Sequence, residues 1–204
     1  MPDRVVGVVL AGGASRRMGR DKARLELDGV NLAHSAASKL AAVCDAVLLA
    51  DGGRRSVPGW TSVEDGPGRG PAAGLLAAAE CHPQSSLLVL ACDLPLVPAE
   101  LLARLAAPGR RDAGRIETVH AAALVPRWRR GIEPLCARYR PSALVQLARR
   151  VAAGNFALHR WLETLDVHYL EGAELVRYGR PEETFFNLNR PEDLQRLVSA
   201  RATR

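Results

Sequence analysis

Leu10-Ala11-Gly12-Gly13-Ala14-Ser15-Arg16-Arg17-Met18-Gly19-Arg20-Asp21-Lys22 follows directly on the apolar run Val5–Leu10. The run has no polar alternation, which predicts a first strand buried on both faces. The loop behind it combines adjacent glycines, a hydroxyl, arginines and a lysine. Glycines lack a Cβ and let backbone amides come close to a ligand. Amides gathered after a strand suit anionic oxygens, and Arg and Lys add full positive charge. A polyphosphate is the ligand such a loop predicts; a tight turn is the plain structural alternative. Two common phosphate loops are excluded. A Walker loop needs G-x-x-x-x-G-K-[ST], but Gly19 is followed by Arg20 and Asp21. A dinucleotide fingerprint needs G-x-G-x-x-G, which Gly12-Gly13 does not fit.

Towards the C-terminus, residues 25–27 read as a short extended piece before an Asp28-Gly29 turn. Asn31 is placed to cap a helix reaching about Val43, with Leu32, Ala36, Leu40 and Val43 at helical spacing. Residues 45–50 predict a second strand, residues 61–65 a short third one, and residues 66–70 a loop. Pro71 opens a helix to about Cys81. Residues 86–92 are the most apolar run and predict a strand ending at Asp93-Leu94-Pro95, followed by a helix over Ala99–Ala106. This alternation predicts a mostly parallel sheet covered on both faces. Its carboxyl-end loops gather along the edge where such sheets bind ligands.

After Ala107 the character changes. Residues 108–115 read as a charged loop. Residues 117–125 and 132–139 read as strands joined by Pro126-Arg127-Trp128-Arg129-Arg130-Gly131, a hairpin for the sheet edge. A helix over 142–153 ending at Gly154, a short helix over 156–165 and a strand at Val167–Leu170 follow. An extended segment at 185–189 leads into a closing helix over 191–201.

The 204 residues predict one domain with a sizeable core, and 48% hydrophobic content argues against disorder. No apolar run reaches the roughly 18 residues a membrane span needs. The N-terminus lacks a charged region followed by an apolar stretch and a cleavage site. Both features predict a cytoplasmic protein with no membrane partner. A net charge of +6 raises the question of nucleic acid, but the arginines are spread out and aromatics make up only 4%. No nucleic acid is expected, and the basic excess suits anionic substrates instead. Cys44, Cys81, Cys92 and Cys136 contain no C-x-x-C, and the five histidines no H-x-x-x-H, so a zinc site is not expected. The cysteines are expected to be reduced, small core residues.

Particular residues carry chemistry by position. Asp93 lies just past an apolar strand, where a carboxylate can hold Mg²⁺ against phosphate oxygens; a turn cap before Pro95 is the alternative. Asp65 sits at a strand end, where alone it would read as a turn residue. Lys22 is a flexible point charge and Arg17 a forked donor, each able to reach phosphates and a leaving pyrophosphate. Ser15 has no His or acidic partner near it in sequence, so a phosphate hydrogen bond is preferred to nucleophilic attack. Asn187 and Asn189 are two apart on an extended segment and face the same way; Asn189 is also placed to cap the last helix.

The loop resembles L-A-G-G-x-S-x-R-M-G-x-D-K, the signature of the MobA-like nucleotidyltransferases, at every fixed position. Cys92-Asp93-Leu94-Pro95 is similar to the family's metal-binding C-D-x-P, Val63-Glu64-Asp65 to its nucleotide-contacting V-x-D, and Gly70-Pro71-Ala72-Ala73-Gly74 to its base-reading G-P-x-x-G. The segment from Asn187 to Leu194 is similar to N-x-N-x-x-E-D-L, which borders the pterin side in the family. The resemblance implies a three-layer α/β/α Rossmann-like nucleotidyltransferase fold with a mostly parallel sheet. It divides the domain at 1–204 into a nucleotide-binding half, 1–107, and an acceptor-side half, 108–204.

The implied reaction moves GMP from GTP to the molybdopterin form of the molybdenum cofactor, with Mg²⁺ on Asp93. Lys22, Arg17 and Asp93 would be catalytic. Leu10, Ala11, Gly12, Gly13, Lys22, Asp65, Gly70, Gly74, Asp93, Asn187 and Asn189 would bind the substrates. Enzymes that deliver or accept the cofactor are the implied protein partners. There is one departure: the family often carries a nucleotide-contacting Asn at the end of strand two, where this chain has Ala50 followed by Asp51. Related cytidylyltransferases read L-A-A-G, so Gly12-Gly13 favours guanine. A sugar-phosphate nucleotidyltransferase is a nearby alternative. A nucleotide-binding adaptor without catalysis is a further one, against which Lys22 and Asp93 argue.

Overall fold

The structure is a computed structural model and describes residues 4–12, 25–107, 121–189, 192–195 and 197. Gly13, Ser15, Arg17 and Lys22, the 108–115 loop and most of the closing helix lie outside them.

Strand β1 (Val5–Leu10) is buried along its whole length, and so is β6 (Ser86–Ala91) beside it. On its other side β1 pairs in parallel with β4 (Ala46–Ala50), and β4 with β5 (Thr61–Val63). Side chains alternate along a strand, so β1 feeds two cores. Val5 and Val9 pack towards α1 (Leu32–Ala41) and α3 (Ala99–Ala106). Val6, Val8 and Leu10 pack towards α2 (Pro71–Cys81), α4 (Pro141–Ala152) and α5 (Leu158–Leu162). Helices thus cover both faces, giving the three-layer arrangement expected from the alternation. The expected caps are present. Asn31 Oδ1 accepts from the His34 N–H at 2.9 Å, and Pro71 is the first residue of α2. A two-stranded hairpin, β2 (Glu26–Leu27) and β3 (Val30–Asn31), turns at Asp28-Gly29 before α1.

The second half departs from the sequence expectation in three places. Strand β7 (Ala123–Trp128) continues through Pro126, and only Arg129-Arg130 separate it from β8 (Gly131–Ile132). Pro126 brings no N–H, but its carbonyl accepts from the Glu133 N–H at 2.9 Å. Pro134 has no N–H for the ladder, so the expected 132–139 strand breaks, and β9 (Cys136–Tyr139) starts after it.

The hairpin is also not at the edge. The sheet order is β10-β7-β9-β6-β1-β4-β5, with β10 (Val167–Leu170) outermost and parallel to β7. Strand β9 runs antiparallel to both β6 and β7. Cys136, Ala137 and Tyr139 are fully buried, which only an interior strand with both faces covered allows.

Finally, two short helices occupy stretches with no strong periodicity, α6 (Gly172–Val176) and α7 (Pro181–Thr184). Phe185 caps α7, so the extended stretch begins after it. The cysteines form no disulfide. Cys92 and Cys136 are buried as expected, whereas Cys81 is exposed. Among the described residues no helix is long and apolar enough to cross a membrane.

Candidate active site

Leu10, Ala50 and Ala91 end three adjacent parallel strands at one level, paired across in register. Two bonds carry the ladder one step further: Ala11 N–H donates to Ala50 O at 3.1 Å and Cys92 N–H to Leu10 O at 3.2 Å. The chain runs from β1 through α1 to β4 on one side, then through α2 to β6 on the other. The crevice above β1 is therefore a topological switch point, where open α/β sheets bind ligands.

A cavity of about 670 Å³ opens there. Its walls include Leu10, Ala11, Gly12, Asp65, Gly70, Gly74 and Asp93. Every described residue that the sequence placed at the nucleotide and metal site is in this set. Asn187 and Asn189 are not in its lining, although both are exposed and Leu188 between them is buried. They are held nearby, because Leu188 N–H donates to the carbonyl of Asp93 at 2.9 Å. The Asn189 N–H donates to Asp193 Oδ2 at 3.0 Å; the expected cap falls partly on residues outside the described ones.

The walls are tight where the ligand would lie. A Cβ on Gly52 would stand 3.2 Å from Asp65 Oδ2, so the carboxylate of Asp65 lies close against the Gly52 backbone. Gly70 adopts φ 61°, ψ −145° and starts α2 with no side-chain cap. That uncapped helix end faces the cavity and carries partial positive charge.

Several wall residues were not singled out from sequence. Arg54 bridges the ends of β1 and β4: Nη2 donates to Ala11 O at 3.0 Å and Nε to Asp51 O at 2.6 Å. Gly52, Ala91 and Leu135 also line it, beside Ala50, Asp51, Pro71 and Cys92. The available signal for Arg54 was a cation just past a strand end on the ligand edge. The Asp51-Gly52-Gly53 stretch reads as an ordinary loop and hid it.

Asp51 settles differently from the Asn it follows in the family pattern. It is fully buried. Its Oδ2 accepts from Ser56 N–H at 2.7 Å and Ser56 Oγ at 2.6 Å, and its Oδ1 accepts from Ser62 Oγ. Burial works against its ionisation, but the Ser56 and Ser62 hydrogen bonds and the nearby Arg54 outweigh it and hold the carboxyl below its ordinary range. The side chain anchors the 51–62 loop.

The donor chemistry can be tested against a divalent cation. Among described residues the cavity walls hold three aspartates, 51, 65 and 93, against one arginine. A polyanion entering such a wall needs added positive charge. Asp93 Oδ1 is buried at the cavity floor, a hard oxygen of the type Mg²⁺ prefers. No group of three or more His, Cys, Asp or Glu forms a cage among the described residues.

Known proteins resemble this chain in sequence and fold. The family model for the MobA-like NTP transferase domain matches residues 7–169. A relative from Nostoc sp., named "probable molybdenum cofactor guanylyltransferase", is 31% identical over 93% of this chain and 88% of its own length. A relative of the same name from Chloroflexus aggregans is 34% identical over 95% and 93%. The crystal structure of molybdopterin-guanine dinucleotide biosynthesis protein A from Archaeoglobus fulgidus superposes with a TM-score of 0.79 at 28% identity, covering 98% of this chain and all of that one.

Proposed function

The chain belongs to the MobA-like NTP transferase family, and from that premise we propose that it transfers GMP from GTP to the molybdopterin form of the molybdenum cofactor, releasing pyrophosphate. The observation that carries the reading is the convergence of Gly12, Asp65, Gly70, Gly74 and Asp93, from the loops after β1, β5 and β6 and the first turn of α2, on one cavity at the switch point. The relatives named as guanylyltransferases support the choice of nucleotide and acceptor. So does Gly12-Gly13, where cytidylyl relatives read Ala-Gly. We read the enzyme as cytoplasmic and the chain as one catalytic domain, its second half serving the acceptor.

In this reading an oxygen of the terminal pterin phosphate attacks the α-phosphorus of GTP in line. The bond to the β-phosphate oxygen breaks, and pyrophosphate leaves. No covalent enzyme intermediate is needed, so catalysis is positioning plus charge stabilisation. Asp93 would hold Mg²⁺ together with phosphate oxygens, and the ion would supply charge neutralisation when bound. Lys22 and Arg17 would do the same for the phosphates and leaving group from the Gly-rich loop. Amides at Ala11 and Gly12, with the start of α2, would orient the triphosphate. Gly70 and Gly74 would let the base meet backbone donors and acceptors. Asp65 would accept from the nucleotide, and Asn187 and Asn189 would meet the pterin.

The test is direct. Purified protein is incubated with Mg²⁺, molybdopterin cofactor and GTP or CTP, and the dinucleotide product is separated by chromatography. Guanine dinucleotide formed with GTP, and little product with CTP, is expected. Faster turnover with CTP would overturn the guanylyl assignment, and no product with either would overturn the transferase reading.

A further inference from the structure

Lys39 lies in the last turn of α1, and its Nζ donates to two carbonyls at once, Pro95 O at 2.7 Å and Val97 O at 2.9 Å. Both belong to the turn that joins Asp93 to α3. The side chains of Leu94 and Val97 are buried, so this turn is pressed into the core. Pro95 and Pro98 bring no N–H to it. Carbonyls buried in such a turn need a donor from elsewhere, and a charged donor makes the stronger bond. The chain has 28 Lys and Arg, yet lysine occurs only at 22 and 39. A compact ammonium satisfies two carbonyls converging on one point, whereas a guanidinium fork directs its donors apart.

The same turn is held from its other end. Cys92 N–H donates to Leu10 O, and Asp93 O accepts from Leu188 N–H. Asp93 therefore stands between the sheet edge and a turn whose fixed point is Lys39.

We propose that Lys39 is a positioning residue for the Asp93 carboxylate: by fixing the 94–98 turn to α1 it sets where Asp93 presents its oxygens to a divalent cation. This rests on the reading of Asp93 as the metal-holding residue. Groups that orient a ligating carboxylate typically change metal affinity about tenfold or more when lost.

The experiment compares the parent protein with Lys39→Met, Lys39→Arg and Asp93→Asn. Binding of Mn²⁺ in the presence of GTP is followed by electron paramagnetic resonance, binding of metal-free GTP by calorimetry, and folding by circular dichroism. Lys39→Met is expected to weaken Mn²⁺ binding about tenfold while metal-free GTP binding stays within about twofold. A folded Lys39→Met with parent-like Mn²⁺ affinity overturns the proposal, whatever its melting temperature. If Lys39→Met does not fold, Lys39→Arg decides: weakened Mn²⁺ binding in the folded variant supports the proposal and parent-like binding overturns it. Parent-like Mn²⁺ binding by Asp93→Asn would overturn the metal reading of Asp93 and this proposal with it, so the two failures are told apart.

Discussion

The backbone N–H of Leu188 donates to the carbonyl of Asp93 at 2.9 Å, joining two segments 95 residues apart in sequence. Asp93 lies two residues past β6, a strand buried along its whole length. Leu188 is buried between two exposed asparagines from the other half. One hydrogen bond thus brings the Asn187/Asn189 pair beside the residue read as the metal carboxylate, but outside the nucleotide cavity.

Replacing Asn187 and Asn189 together by Ala is therefore expected to weaken molybdopterin binding and slow turnover while sparing GTP. Each lost hydrogen bond is worth about 0.5–1.5 kcal/mol net. The backbone bond from Leu188 survives the change, so Asp93 keeps its place. Calorimetric GTP affinity should stay within about twofold, since a tenfold change corresponds to about 1.4 kcal/mol. A tenfold loss of GTP affinity with unchanged pterin affinity would show that the two half-sites are reversed.

Asp93→Asn should abolish most turnover at ordinary Mg²⁺ and leave the circular dichroism spectrum as in the parent. The substitution keeps the shape of the side chain and leaves the Leu188 bond, which uses the main chain, intact. It removes only the negative oxygen that a hard cation prefers. Near-parent activity would remove Asp93 from the catalytic set.

Asp51 gives a pH prediction with a definite sign. Its carboxyl is held below the ordinary value of 3.8 in the folded chain. A group with a depressed folded pKa contributes stability that is present above its unfolded pKa and lost as pH falls through the folded one. The contribution should thus be complete from about pH 5 upward and fade below about pH 4. Asp51→Ala leaves the half-buried Ser56 and Ser62 hydroxyls short of an acceptor, and about 1–3 kcal/mol of stability at pH 7 should go. Denaturant titrations at pH 7 and pH 3 should show a smaller gap between variant and parent at pH 3; an equal gap at both would contradict the account.

What was legible in the sequence follows a physical line. Strands β1 and β6 and helix α2 were readable because local signals and burial agree: unbroken apolar runs, then a proline at a helix start. The site was readable because its residues sit at strand ends, and the fold brings strand ends together. Strand β9 was misplaced because sheet order depends on which surfaces end up covered, which no local pattern encodes. Pro126 and Pro134 look alike in sequence, yet one lies within a strand and the other breaks one; the difference lies in the neighbours each meets. Arg54 was hidden for the same reason, since its role is to join the ends of β1 and β4 across more than forty residues. Helices α6 and α7 are single turns, too short for periodicity to show.

Gly74 links packing to the base-reading end of the cavity. A Cβ built there would stand 2.8 Å from Ala50 Cβ and 2.9 Å from Leu10 Cδ2, closer than real Cβ atoms come. Those neighbours end β4 and β1, so the first turn of α2 is seated on the sheet edge by the missing side chain. Gly74→Ala must lift that turn, and overpacking of this kind costs about 1–3 kcal/mol. The lift would carry Gly70 and Pro71, which line the same cavity, away from the base. GTP affinity should therefore fall by more than the loss of stability alone explains. Leu162→Ala is the control: Leu162 is buried on α5, outside the cavity lining, and its truncation costs about 2–5 kcal/mol without moving α2. Melting temperature and calorimetric GTP affinity are measured for both variants. Gly74→Ala with parent-like GTP affinity, or Leu162→Ala with an equal loss of it, would show that the seating of α2 does not govern nucleotide binding.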